Sequence, residues 1–344
     1  MLLILVLSFV FITTYFGVAL FRRWSLKRGL LDIPNDRSSH VIPTPRGGGL
    51  VIAITTTFAY VALSWLFGYN LSYGYLIGSL IIVIISSLDD AYSVSVAWRF
   101  LIHGIAAGIL IYDVGYFRLI YIPVNGHTVD LGVIGIGLSL IWIIWLINSY
   151  NFMDGIDGIA GIQAVVAGLA WLIAGHVSGI PAVVIIGGVA MSSSIAFLFH
   201  NWQPARIFMG DVGSAFLGYT FAAVPLIFVD QLKEDSGLVP YLAVLFVWFF
   251  VFDSIFTFLK RLLKGEKVWR PHRQHIYQKL VIFGYSHQLV SSIYGVLGFG
   301  VAIPSAFLIS EHFKFKLSIL PVVVLATISL LFIYFRADRG HNNA

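Results

Sequence analysis

Long apolar runs alternate with short polar connections over almost the whole chain. A helical run of about 17 to 25 residues is long enough to cross a bilayer. The pattern predicts about eleven spans, at residues 2–21, 48–67, 73–88, 99–114, 132–148, 158–176, 181–199, 213–230, 238–259, 287–309 and 317–335. The expected fold class is an all-α polytopic membrane protein, and with no internal repeat, residues 1–344 form one integral membrane domain.

Two short stretches beside the apolar runs carry further signals. The first run continues directly into Arg22 and Arg23 without a small-residue cleavage site, which predicts a retained span rather than a signal peptide. After the fourth run, a β-branched stretch contains Asn125-Gly126, a dipeptide typical of a β-hairpin turn.

Composition narrows the class of protein. The chain has 344 residues, of which 59% are hydrophobic and 11% charged, and its mean hydropathy is +0.91. A soluble domain of this size would not tolerate so many hydrophobic residues on its surface. No nucleic-acid partner is expected. The absence of cysteine excludes disulfides, iron–sulfur clusters and thiol catalysis.

The basic residues predict the orientation in the membrane. With the N-terminus outside, most of the 21 Lys and Arg fall in cytoplasmic connections, and four do not: Arg118, Lys233, Lys314 and Lys316. The positive-inside rule therefore places the N-terminus outside and the C-terminus inside. The polar-rich connections then all face the cytoplasm, which favours a soluble substrate on that side and a lipid as the second substrate.

A polar stretch, NSYNFMDGIDGIAG, closes the fifth apolar run. Its polar side chains recur at every third position, namely Asn148, Asn151, Asp154 and Asp157. Three such steps carry a straight helix about half a turn round, so an unbroken helix cannot aim all four at one ligand. Gly155 and Gly158 predict a break that turns them toward one hard cation such as Mg²⁺. The alternatives are a helix N-cap for Asp157 and a polar turn for Asp154.

Two adjacent carboxylates, Asp89 and Asp90, follow the third apolar run. Adjacent helical residues diverge by about 100°, so we expect them to have different roles. Close carboxylates can hold a metal or act as a base, because their repulsion raises one pKa. The alternative is an ordinary polar exit from the bilayer.

The connection before the second span combines basic and small residues. It holds four candidate substrate-binding residues, Arg37, His40, Thr44 and Arg46. Guanidinium groups fit phosphate oxygens in pairs, which favours an anion site. The run Gly47-Gly48-Gly49 follows, and its backbone N–H groups could approach a phosphate at a helix start. Close helix packing is an equally good explanation of the glycines.

Later polar residues extend the candidate site. Asp211 lies at the start of the eighth run, where it is either an N-cap or a site carboxylate. The basic loop KRLLKGEKVWRPHRQHIYQK contains His272 and His275 beside aromatic residues, which suits a diphosphate and a planar base. The competing interpretation is a basic stretch on anionic lipid. Asp253 is expected to border the same cavity, whereas His103 is interpreted as local structure.

Five motifs, taken in order, resemble those of the polyprenyl-phosphate N-acetylhexosamine-1-phosphate transferases. They are DIPNDRSSHVIPTPRGGG, LDD, NSYNFMDGIDGIAG, FMGDVGS and PHRQHIYQ. These integral membrane enzymes move a phospho-sugar from a UDP-sugar to undecaprenyl phosphate. The resemblance implies a bundle of ten or eleven spans in the bacterial inner membrane, with the active site on the cytoplasmic face.

The resemblance also implies roles for individual residues. The implied ligands of Mg²⁺, or of Mn²⁺ in its place, are Asp154, Asp157 and Asp89 or Asp90. The adjacent pair of aspartates would meet the lipid phosphate. Asn148 and Asn151 would contact the metal or the nucleotide, and Arg273 and His275 would hold the diphosphate.

The end of the basic loop bears on the sugar. Tyr277 and Gln278 stand where related branches have histidines, and this ending resembles the branch that starts O-antigen or other surface polysaccharides. Donors carrying GlcNAc or MurNAc-pentapeptide are the alternatives within the family. The sequence leaves open whether the protein is a monomer or a homodimer. Outside the family, a secondary transporter of an anionic solute is the alternative, because broken helices with polar groups also build carrier sites.

Overall fold

The architecture is a bundle of long helices with two small two-stranded sheets. The computed structural model describes residues 1–34, 42–123, 126–232, 237–267, 272–310 and 319–342. The helices are α1 (Leu2–Arg28), α2 (Gly49–Phe67), α3 (Tyr73–Tyr92), α4 (Val96–Val114), α5 (Val133–Met153), α6 (Ile159–Ser178), α7 (Pro181–Asn201), α8 (Gly210–Gln231), α9 (Val239–Leu245), α10 (Trp248–Leu263), α11 (Ile276–Ile282), α12 (His287–Ala306) and α13 (Ile319–Asn342).

The prediction of an all-α polytopic membrane protein is confirmed. Within the described residues, ten helices are long and apolar enough to cross a membrane, and a bent pair could supply an eleventh span. The first helix is longer than predicted and continues to Arg28, because no glycine or proline follows the apolar run until Gly29, which ends the helix with φ 67°. The third and fifth helices likewise extend through the polar residues that follow their apolar runs.

The span predicted at 238–259 is not one straight helix, because the structure breaks it into α9 and α10, bent by 78°. No glycine or proline lies at the break. The carbonyl of Phe246 there is buried, and it accepts a hydrogen bond of 2.9 Å from Nε2 of Gln163 on α6. A side chain from a neighbouring helix therefore satisfies a backbone group that the break releases.

The sheets occupy connections between helices. β1 (Leu31–Asp32) pairs antiparallel with β2 (Thr44–Pro45) just before α2. The hairpin expected after the fourth span is confirmed, since β3 (Leu119–Ile122) pairs antiparallel with β4 (His127–Asp130). Its turn residue Asn125 lies outside the described residues.

The helix α8 forms the centre of the bundle, and every residue from Val212 to Phe228 is buried. At its start it approaches α2 so closely that a Cβ on Gly49 would overlap the backbone of Gly213. Only glycine permits this contact, which brings the N-terminal ends of α2 and α8 together. The same end of the bundle gathers the C-terminal ends of α3, α5 and α7, and it carries the candidate site.

Candidate active site

The two adjacent aspartates at the end of α3 face different arginines. Asp89 forms an ion pair with Arg99, which lies in the first turn of α4. Asp90 Oδ1 lies 3.6 Å from Nη1 of Arg46, whose Nη2 also donates to the Asp90 carbonyl at 2.8 Å. The divergence of adjacent helical positions therefore gives the two carboxylates separate surroundings.

A third carboxylate, Asp211, joins this group from the first turn of α8. Its Oδ2 lies 4.0 Å from Nη1 of Arg99, and its side chain hydrogen-bonds with that of Asn151. The N-cap of α8 is Met209, so the structure places Asp211 in the cluster and not at the cap position. We use the name carboxylate cluster for Asp89, Asp90, Asp154 and Asp211.

The two asparagines of α5 line a small cavity beside this cluster. Asn151 Oδ1 accepts a hydrogen bond of 2.9 Å from Ser214 Oγ. Asn148 donates to the Ile144 carbonyl at 2.7 Å and lies 3.4 Å from Nδ1 of His103. His103 lines this cavity together with Asp89 and Arg99. It therefore belongs to the candidate site as well as to the local structure of α4.

The predicted helix break after α5 is present. The helix ends at Met153, and Gly158 adopts φ 79° before α6 begins. Asp154 occupies the C-cap position and is partly exposed. Loss of surrounding water raises the pKa of the Asp154 carboxyl well above its usual range even though the residue is partly exposed, and repulsion from Asp211 and Asp157 raises it further. A bound cation would relieve this repulsion between carboxylates.

The break does not turn all four polar residues toward one point. Asp157 Oδ2 accepts from the backbone N–H of Ala205 at 3.0 Å, and Oδ1 lies 3.4 Å from His287 Nδ1. Gly158, not Asp157, is the N-cap of α6. The carboxylate of Asp157 therefore binds the turn to Ala205 and His287 of neighbouring segments. It does not cap α6, as the alternative had proposed.

Asn201 is a further anchor of this turn. The amide is buried, accepts from the Gly158 N–H at 2.9 Å and donates to the Ile207 carbonyl at 2.9 Å. It connects the turn that follows Asp154 with the loop that precedes Asp211. In the sequence, the only indication of this role is that Asn201 is a polar residue at the end of an apolar run.

Replacing Asn201 by alanine is expected to destabilise the protein, since two buried backbone groups lose their partners at about 1–3 kcal/mol each. The unfolding midpoint in detergent measures the effect. Ser87→Ala is the matched control, because that exposed hydroxyl bonds to the Val83 carbonyl of its own helix. Equal midpoints for Asn201→Ala and the wild type would contradict the anchoring role.

The basic loop brings histidines to a larger cavity. The His275 ring is buried, with Nδ1 3.1 Å from Asp253 Oδ1, and it stacks on His272 with ring centroids 5.0 Å apart. Burial, helped by the nearby His275 and Arg261, lowers the pKa of His272 to about 4. His272 is therefore neutral at pH 7, and Arg273, which is partly buried, carries positive charge in this loop.

This cavity has a volume of about 370 Å³ and a lining of both polar and apolar side chains. The polar side chains include Asn148, Arg261, His272 and His275. The apolar side chains are Phe100, Ile141, Ile144, Trp145, Phe152 and Phe258. Asn148 borders both this cavity and the smaller one beside the carboxylate cluster. Asp253 is fully buried and does not line the cavity itself, contrary to expectation.

Of the candidates in the connection before α2, Arg46 reaches the site through Asp90. Arg37 and His40 lie outside the described residues. Thr44 is buried and donates to the Ile42 carbonyl at 2.9 Å, and it lines neither of these two cavities. The N–H groups of Gly48 and Gly49 donate to the carbonyls of Phe208 and Met209, so these glycines serve close packing.

The cluster suits a metal that binds together with a substrate. Among the described residues, no three His, Cys, Asp or Glu side chains converge as a preformed ligand set. Mg²⁺ is commonly held by one or two carboxylates, water and substrate phosphates, so a full protein cage is not required. The donor set of oxygens around the partly exposed Asp154 fits that mode of binding.

The comparisons with known proteins agree with this geometry. The profile of glycosyl transferase family 4 matches residues 72–229, which include α3 to α8 and the carboxylate cluster. The chain is 28% identical to a probable undecaprenyl-phosphate N-acetylglucosaminyl 1-phosphate transferase of Bacillus subtilis, over 88% of this chain and 84% of the relative. It is 28% identical to decaprenyl-phosphate N-acetylglucosaminephosphotransferase of Mycobacterium tuberculosis, over 85% and 80%.

A third relative, the undecaprenyl-phosphate alpha-N-acetylglucosaminyl 1-phosphate transferase of Salmonella typhimurium, is 25% identical over 80% of this chain and 76% of its own length. The family model and these relatives together support a relationship to the polyprenyl-phosphate hexosamine-1-phosphate transferases.

Proposed function

We propose that the protein transfers an N-acetylhexosamine 1-phosphate from a UDP-sugar to undecaprenyl phosphate and releases UMP. The observation that carries this proposal is the position of the carboxylate cluster beside a cavity lined by both polar and apolar side chains. A phosphorylated lipid needs both surroundings at once. The relatives named above act on undecaprenyl or decaprenyl phosphate, which supports the same acceptor here.

In the proposed reaction, an oxygen of the lipid phosphate attacks the phosphorus that carries the sugar. A new P–O bond joins the two phosphates, and the bond between the two phosphates of the donor breaks. UMP leaves with the electron pair of that bond. The lipid phosphate needs little activation near pH 7, because the second pKa of a phosphomonoester is about 6.

The residues of the chain have distinct proposed tasks. Arg46 and Arg99 neutralise phosphate charge, and Asp89 and Asp90 hold these two arginines in place. The neutral His272, with His275 and Arg273, is proposed to bind the donor. The apolar side chains that line the large cavity would contact the first isoprene units of the lipid.

We propose that Asp154 and Asp211 hold Mg²⁺, with Mn²⁺ as a substitute. Bound there, the ion would neutralise the diphosphate and the developing charge of the leaving UMP. Asp89 and Asp157 were also expected as ligands. Their support is weaker, because Asp89 is paired with Arg99 and Asp157 with Ala205 and His287.

The proposals for the sugar and for the cellular role rest on the names of the relatives and on the end of the basic loop. The names of the relatives support GlcNAc as the first sugar to test, whereas the Tyr277-Gln278 ending favours initiation of O-antigen or another surface polysaccharide. The distribution of Lys and Arg supports a site on the cytoplasmic face of the inner membrane. A secondary transporter has less support, because the polar clusters described here meet at one end of the bundle.

Purified protein offered undecaprenyl phosphate and Mg²⁺ is expected to release UMP with at least one of UDP-GlcNAc, UDP-GalNAc and UDP-MurNAc-pentapeptide. An equal amount of sugar should appear in the organic phase as lipid-linked product. Reactions without the lipid are the control. Release of UDP instead of UMP would contradict transfer of a sugar phosphate, and solute uptake into proteoliposomes without UMP would favour the transporter.

A further inference from the structure

Asp253 on α10 is a fully buried acid whose two oxygens accept many hydrogen bonds. Oδ1 accepts from Thr257 Oγ1 at 3.0 Å and from the Ile276 N–H at 2.9 Å, and it lies 3.1 Å from His275 Nδ1. Oδ2 accepts from the Tyr277 N–H at 3.2 Å and from Tyr294 Oη at 2.7 Å. A carboxylate at zero exposure is costly unless it is hydrogen-bonded in this way.

Three of these partners are consecutive residues at the end of the basic loop. Asp253 therefore binds the start of α11 from a different helix and at the same time orients the His275 ring. The ring lines the large cavity beside His272. With Nδ1 turned to Asp253, the Nε2 edge of the imidazole is the one that can reach a ligand.

The same bonds reach the turn that carries Asp154. Tyr277, fixed through its N–H, is fully buried and donates its hydroxyl to the Phe152 carbonyl at 2.8 Å. A Cβ on Gly155 would overlap that hydroxyl, so the tyrosine lies directly against the turn. Asp253 is thus connected by two hydrogen bonds to the backbone on the N-terminal side of Asp154.

The geometry points to Asp253 as a positioning residue that holds His275 and Tyr277 so that the basic loop faces the Asp154 turn. It acts through these residues and does not touch substrate. This inference rests on the proposed function, because the rate of sugar-phosphate transfer is its readout. The alternative is that Asp253 only stabilises the packing of α10 against α11 and α12.

A double-mutant cycle separates the two roles. Asp253→Asn should lower kcat roughly 100-fold, the loss expected when a misplacement of about 1 Å disturbs a reacting geometry. His275→Gln should also lower the rate. If Asp253 acts through His275, the double variant should be within about threefold of the slower single variant, because residues in one network are not additive. Multiplied losses, or a kcat for Asp253→Asn within about threefold of wild type, would overturn the inference.

Tyr294→Phe is the matched control. It removes the bond to Asp253 from α12 and the contact of the Tyr294 hydroxyl with the Tyr277 backbone, but leaves Asp253 bonded to His275, Ile276 and Tyr277. Its kcat should stay within about threefold of wild type. If Asp253→Asn does not yield folded protein, Asp253→Glu enters the same cycle, and failure of both to fold would favour the purely structural role. Lack of lipid-linked product from the wild type would instead count against the proposed function.

Discussion

Asp154→Asn is expected to lower the rate of UMP release by about a thousandfold, with the protein still folded. The side chain keeps its shape and loses its charge, so the loss reflects cation binding. A metal that neutralises transition-state charge contributes several kcal/mol, and each 1.36 kcal/mol is about tenfold in rate. Steady-state UMP release with saturating Mg²⁺ measures the effect.

Asp130→Asn provides the matched control for this substitution. That carboxylate is about half exposed, lies on the β3–β4 hairpin and pairs with Arg118 at 3.0 Å. The hairpin follows the C-terminal end of α4, whereas Arg99 at the N-terminal end of that helix belongs to the site. Activity of Asp154→Asn close to that of Asp130→Asn would show that Asp154 does not bind the cation.

Removal of divalent cations by EDTA is expected to abolish transfer, and added Mg²⁺ should restore it fully. The reason is that the phosphates of donor and acceptor repel each other and approach four carboxylates. Mn²⁺ should replace Mg²⁺, because both accept oxygen ligands in octahedral geometry. The measurement is UMP release against free metal concentration.

The same titration tests the second proposed ligand. In Asp211→Asn, the Mg²⁺ concentration for half-maximal rate should rise about 10- to 100-fold. Asp157→Asn should leave it within about threefold, because that carboxylate is bound to Ala205 and His287. Full activity in EDTA, or equal metal dependence in the two variants, would contradict the assignment.

Most of the helices could be predicted from the sequence because each span needs an unbroken apolar run. The sequence also predicted that the polar residues closing these runs would meet at one end of the bundle, and they do, because neighbouring antiparallel helices bring such ends together. Gly155 and Gly158 gave the break after α5, because glycine tolerates the turn. Arg99 was not identified as a site residue from the sequence, because a single arginine at a helix start is an ordinary membrane anchor.

The direction of individual side chains could not be predicted. Asp154 and Asp157 have the same residue type and the same spacing from glycine, yet one faces the cluster and the other binds Ala205 and His287. The break at Phe246 has no breaker in the sequence, and its carbonyl is satisfied by Gln163, which lies 83 residues away in the chain. Tertiary contacts of this kind leave no local pattern.

Two parts of the site differ in how far the helices that hold them are exposed to the surroundings of the bundle. Asp211 begins a helix that is enclosed by protein from Val212 to Phe228, so bilayer thickness does not act on it directly. His275 is held from α10, whose outer side chains Ile255, Phe258, Leu259 and Leu262 are exposed to the surroundings of the bundle. A change in the acyl chain length of the bilayer lipids is therefore expected to shift His275, the proposed donor-binding histidine, before Asp211, one of the two proposed metal ligands. KM for the UDP-sugar should then change before the contribution of Asp211 to the affinity for Mg²⁺.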